Sequence, residues 1–183
     1  MNTQKSMPTS ILLLLVFAWL IFIGLSLVAT SFLVNAVMSI VHPNVVPNLW
    51  QEANLRSLYE TDLVYFSLLT FFVASAVTLK AILFYKVISF LQDKKTDLNR
   101  PFQQNLHLFL TTLATLSLFI GLLCAISEKL SLYLAQIGIS MPSSKDLHVD
   151  GADVWIFMAI VLYAITAMAK KAILLQNEND LTI

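Results

Sequence analysis

ILLLLVFAWLIFIGLSLVATSFLV, residues 11–34, runs for 24 positions without a charged side chain. A helix needs about 20 apolar residues to cross about 30 Å of hydrocarbon, so this stretch alone is long enough to span a bilayer. Three more stretches share its character: Leu63–Phe84, Leu106–Ile126 and Val154–Leu175. Their only charged side chains are Lys80, Lys170 and Lys171. Apolar residues occupy every side of these segments, whereas a helix on the surface of a soluble domain carries one apolar stripe. Of the 183 residues, 58% are hydrophobic and 12% charged, about half the charge of a soluble domain. So little polar surface cannot wrap four such helices. The sequence therefore predicts an all-α polytopic membrane protein, built as one integral membrane domain over residues 1–183. The first stretch is too long for the 7–15 residue core of a signal peptide and is read as a retained span.

The distribution of charge orients the chain. With the N-terminus in the cytoplasm, eight basic residues fall inside: Lys5, Lys80, Lys86, Lys94, Lys95, Arg100, Lys170 and Lys171. Three fall outside: Arg56, Lys129 and Lys145. Both termini are thus expected in the cytoplasm, with the protein in the inner membrane. Trp50, Tyr59, Tyr65, Tyr133 and Trp155 gather near the outer boundary, where amphipathic rings prefer to sit. Trp19 and Tyr163 lie nearer the middle and are read as packing residues.

Between the first two spans, VHPNVVPN at residues 41–48 holds two prolines and two asparagines and breaks the helix. From Leu49 the pattern turns amphipathic. Glu52, Arg56 and Glu60 recur every four residues and share a helix face, which predicts a short external helix continuing into the second span. Lys80 and Lys86 are expected to snorkel to the cytoplasmic headgroups, because a lysine at mid-bilayer costs about 2.5–3.5 kcal/mol on insertion scales. Gln92–Arg100 forms a charged cytoplasmic loop, and Pro101 suits the first turn of the third helix. That helix continues outside as an amphipathic extension over Glu128–Ile137. The fourth span is expected to begin near Asp153 and end at Lys170-Lys171, followed by a polar tail. The architecture is an antiparallel four-helix transmembrane bundle with a short external amphipathic helix.

Several constellations bear on function. Asp146, His148, Asp150 and Asp153 are metal-capable side chains in one external loop, but their spacing matches no EF-hand or zinc pattern. They read as a solvated loop in which Asp150 or Asp153 caps the fourth helix. Glu128 with Lys129 reads as an interfacial pair, and His107 as an interfacial hydrogen-bonding group. Thr111, Thr112, Thr115 and Ser117 line the third helix, where small polar residues favour close packing. The single cysteine, Cys124, reads as a buried small residue. No CxxC, HExxH, GxSxG or P-loop is present, so no familiar catalytic design and no cofactor is called for. A net charge of zero gives no ground for direct nucleic-acid binding.

Two segments carry a family resemblance. NRPFQQN at residues 99–105 looks like an "NPF…N" element with Arg100 interposed, and LQNENDLTI at residues 175–183 looks like an "LQ-x-EnDLTI" ending. With the four-span layout, they resemble the YoaS-like family of bacterial membrane proteins, a family of unknown function. Its genes often neighbour a small Cro/C1-type helix-turn-helix regulator, which implies a membrane partner for a transcription factor.

These readings converge on a non-enzymatic inner-membrane regulatory or scaffold protein. Its candidate contacts with a cytoplasmic partner are Lys94, Lys95, Asn99, Pro101, Phe102, Glu178, Asn179 and Asp180. The other expected partners are the lipid bilayer and further copies of the chain. The alternative is a small oligomeric transporter or channel using the Ser/Thr face of the third helix.

Overall fold

The computed structural model describes residues 9–42, 55–92 and 104–180. Among the described residues, every regular element is an α-helix. They are α1 (Thr9–Val41), α2 (Arg56–Thr61), α3 (Leu63–Gln92), α4 (Gln104–Gln136) and α5 (Ala152–Asp180). Four of them, α1, α3, α4 and α5, are long and apolar enough to cross a membrane. Their large apolar side chains point outward, including Leu14, Phe17 and Leu27 on α1 and Phe157, Ile160 and Met168 on α5. In water such a surface would aggregate; it is the surface lipid requires. The chain is a multi-pass membrane protein with an antiparallel bundle of four long helices.

Packing follows chain order. α1 packs on α3, α3 on α4, and α4 on α5. Burial ranks the helices accordingly: 56% of the most apolar window of α3 is buried, against 6% of that of α1. α3 is therefore the central element and α1 a peripheral one. The core joins Phe66, Leu69, Val73 and Ala76 of α3 to Ile120, Cys124 and Leu134 of α4, with Leu55 and Leu58 closing it at the end away from both termini. That end is called distal below.

The short helix appears where its amphipathic pattern predicts. In α2 the Arg56 Nε lies 2.7 Å from Glu60 Oε1, the pairing expected of residues four apart. Glu52 lies outside the described residues. Leu58 is fully buried, and Tyr59 meets Phe66 edge-on at 5.1 Å. α2 does not run into the second span, however. Asp62 is extended (φ −153°, ψ 108°), and its Oδ1 accepts from the amides of Val64 at 2.8 Å and Tyr65 at 3.2 Å. Asp62 is thus the N-cap of α3, and it bends the chain there.

The helix ends fall near their expected places, with one clear difference. α5 passes Lys170-Lys171 and stays helical to Asp180, where a polar tail was expected. Nothing in AILLQNEND breaks a helix, since it holds no glycine or proline, and intrinsic propensity carries it on.

The α4–α5 pair is set by Gly121. A Cβ built there would lie 2.6 Å from Ile156 Cγ1, 3.0 Å from Ile156 N and 3.2 Å from Ala152 O. Two of these neighbours are backbone atoms and cannot rotate away. The bare glycine therefore lets the first turn of α5 rest on α4, the small-residue packing that operates in lipid. Gly121→Ala should weaken the bundle by about 1–3 kcal/mol, the usual cost of overpacking. Reversible unfolding in detergent measures this; unchanged stability would mean that the helices are not in such close contact.

Candidate functional site

The contact at Gly121 has a consequence for the distal half. α5 begins at Ala152, level with Gly121, whereas α4 continues to Gln136, a further 22 Å or so at about 1.5 Å per residue. Over that length α5 does not cover α3 and α4. The connection between α4 and α5 does so instead. It leaves α4 through Gly138 (φ +94°), with Gly138 N donating to Ala135 O at 3.1 Å and Ile139 N to Leu134 O at 3.1 Å. This is a glycine-terminated helix end in which the left-handed residue closes the last carbonyls. The chain then descends as a strap, residues 139–151, to the start of α5.

The strap's own hydrogen bonds explain how irregular backbone persists there. Leu147 N donates to Ser143 O, His148 N to Lys145 O, and Val149 N to Ser144 O, at 3.1, 2.9 and 3.0 Å. Ser143 N and Oγ both donate to Asp146 Oδ2. Leu147 and Val149 are fully buried and belong to the core, while His148 between them is exposed. His148 has φ +55°, a left-handed conformation costing a residue with a Cβ about 1–2 kcal/mol. Its ring meets Phe32 of α1 edge-on at 6.2 Å.

That conformation leaves the His148 carbonyl facing the bundle, and Lys80 reaches it. Lys80 Nζ donates to His148 O at 2.7 Å and lies 5.7 Å from the centre of the Trp155 ring. Lys80 is only 8% exposed. Cys124 of α4 is fully buried and joins the same core as Leu147 and Val149 of the strap. Among the described residues, the only ion pair is Arg56–Glu60; no carboxylate pairs directly with Lys80. Its ammonium is held by a carbonyl and an aromatic face.

This corrects the snorkelling expectation for Lys80. The lysine does not run to the headgroups at the termini end; it turns into the bundle and supports the strap. The physical reason is that the surrounding core buries its stem while the His148 carbonyl offers a strong acceptor to an ionised donor. Lys86, by contrast, is exposed.

The remaining sequence candidates scatter. Lys94, Lys95, Asn99, Pro101 and Phe102 lie outside the described residues. Glu178, Asn179 and Asp180 form the last turn of α5, far from Lys80 along the helix. Asp153 falls inside the first turn of α5. Among the described residues, no group of three or more His, Cys, Asp and Glu side chains converges as a metal site would require. The threonines of α4 are turned back on their own helix: Thr111 donates to His107 O, Thr112 to Leu108 O and Thr115 to Thr111 O. Ser117 Oγ is buried with no hydrogen-bond partner among the described residues. Lys80 could have been singled out from sequence as the lone charge in its span; the part played by the His148 carbonyl carries no sequence signal.

Compared with family models, curated proteins and solved structures, the chain matches none.

Among the described residues a polar contact joins α4 to α5 directly, Thr115 Oγ1 to Tyr163 OH at 3.0 Å. A double-mutant cycle of Thr115→Val and Tyr163→Phe should give a coupling of about 0.6 kcal/mol, typical of interhelical hydrogen bonds in a bilayer. Strictly additive effects would show that the two hydroxyls do not meet.

Proposed function

We propose that the protein is a non-enzymatic regulatory or scaffold partner in the cytoplasmic membrane, contacting a cytoplasmic protein through its termini end. The observation that carries this reading is α5. One unbroken helix begins beside the Lys80-held strap and ends at Asp180, about 14 Å past Lys171 at about 1.5 Å per residue. A rigid polar end standing off the membrane is a docking element; a frayed tail would first have to be ordered, at a cost in affinity. The same helix connects the strap to the termini end of the bundle mechanically.

Charge supports placing this end in the cytoplasm. With Lys80 removed from the count, seven basic residues still stand on the termini side against three on the distal side, so the bias holds. Lys94, Lys95, Asn99, Pro101 and Phe102 fall in the sequence between α3 and α4, and the end of α3, the start of α4 and the end of α5 share the termini side of the antiparallel bundle. The resemblance of residues 99–105 and 175–183 to the YoaS-like pattern favours a small helix-turn-helix regulator as the partner. The transport reading rests on a polar face of α4. The back-bonded threonines offer few free hydroxyls to a conduit, which favours the partner reading.

A pull-down from native membranes in mild detergent tests this, comparing the intact chain with one lacking Asn177–Ile183. The intact chain should recover a small helix-turn-helix protein, and the purified pair should rebind; the shortened chain should do neither. Equal recovery by both chains would reject the tail as the contact. Recovery of no cytoplasmic protein by either would reject the partner reading.

A further inference from the structure

We propose that Lys80 is the latch of a hinged strap: its bond to the His148 carbonyl keeps residues 139–151 closed over the bundle interior at the distal end. The inference rests on the packing around Lys80 and holds whatever partner the termini end contacts.

Three observations carry it. First, the strap stands where a longer α5 would lie, and it covers the part of α3 and α4 that α5 leaves bare. It can leave without unwinding a long helix. Second, its inward contacts are few: Leu147 and Val149 are fully buried, and Ile139 and Met141 pack partly buried against the core. Between Leu147 and Val149, the bond from Lys80 Nζ to His148 O at 2.7 Å ties the strap to α3. Third, the strap is bounded by a hinge at each end, Gly138 at φ +94° and Gly151 at φ +73°. Neither glycine has any atom within 4 Å of where a Cβ would stand, so both have room to turn.

The latch also bears on α5. Trp155 N donates to Gly151 O at 3.1 Å, and the Trp155 ring faces the Lys80 ammonium. Lys80 thus holds the strap and the first turn of α5 together. Opening the strap would free both, which makes it a device poised to move the one helix that runs from the strap to the far end of the bundle.

The chain supplies its own probe, because Cys124 is its single cysteine and lies fully buried in the core that Leu147 and Val149 of the strap close. The experiment measures the labelling of Cys124 by a bulky polyethylene-glycol maleimide in phosphatidylcholine nanodiscs. Each rate is divided by the rate for the same protein unfolded in dodecyl sulfate, which removes any change in the intrinsic reactivity of the thiol. Lys80→Met keeps the stem and removes the donor. It should raise the normalised rate by about tenfold or more, the signature of a local opening. A control carries Cys124→Ala with Ala114→Cys, placing the probe at another fully buried position of α4. In that background the normalised rate should be unaffected by Lys80→Met. Unchanged labelling of Cys124 would overturn the proposal, showing that the strap's apolar contacts hold it unaided. Equal acceleration at position 114 would overturn it too, because Lys80 would then stabilise the whole bundle and not a latch.

Discussion

A lysine ammonium taken out of water loses several kcal/mol of solvation, even after the protein relaxes around it. Lys80 is placed in that position by α3, the most buried helix of the bundle, and the surroundings answer with neutral groups. A charge-assisted hydrogen bond to His148 O contributes about 1.5–3 kcal/mol, and the Trp155 face about 2 kcal/mol when desolvated. These are the same order as the solvation lost. The arrangement persists because each side needs the other: the ammonium needs an acceptor, and the turn at His148 has a carbonyl facing an apolar interior. An unsatisfied carbonyl there would be costly in its own right.

From this one contact the asymmetry of the molecule follows. Non-helical backbone is tolerated at the depth of a membrane only where protein buries it or water reaches it. Leu147 and Val149 meet the first condition by lying in the core, and the backbone around them is held by its own turn bonds and by Lys80. Lys145, Asp146 and Asp150 are exposed. α5 can then start beside Gly121, and the bundle needs no full-length fourth helix at its distal end. Gly121 and Lys80 act as a pair in this sense, one bringing α5 against α4 and the other closing the space that its late start leaves.

The four long helices are legible in the sequence because lipid imposes a coarse rule, and runs such as residues 11–34 satisfy it without reference to tertiary contacts. The short helix is legible from the spacing of Arg56 and Glu60. The site is harder to read. Lys80 announces itself as a charge in an apolar run, but the direction in which a long flexible side chain turns depends on what lies on each side of it. The deciding acceptor is a main-chain carbonyl 68 residues away, and every residue type carries one. The capping role of Asp62 is hidden for a related reason: a carboxylate at a helix start and a carboxylate on a surface have the same sequence appearance until the backbone bends. Gly121 stands alone outside any GxxxG pattern, and its role depends on a partner helix that meets it from another part of the chain.

Residues 147–149 are packed into the bundle and not displayed as a free loop, and on this the roles of Lys80, the strap and the late start of α5 all depend. Amide hydrogen exchange of the protein in lipid nanodiscs tests it most directly. The amides of Leu147, His148 and Val149 should exchange as slowly as those in the middle of α3. Exchange within seconds, at the rate of an unstructured loop, would contradict it.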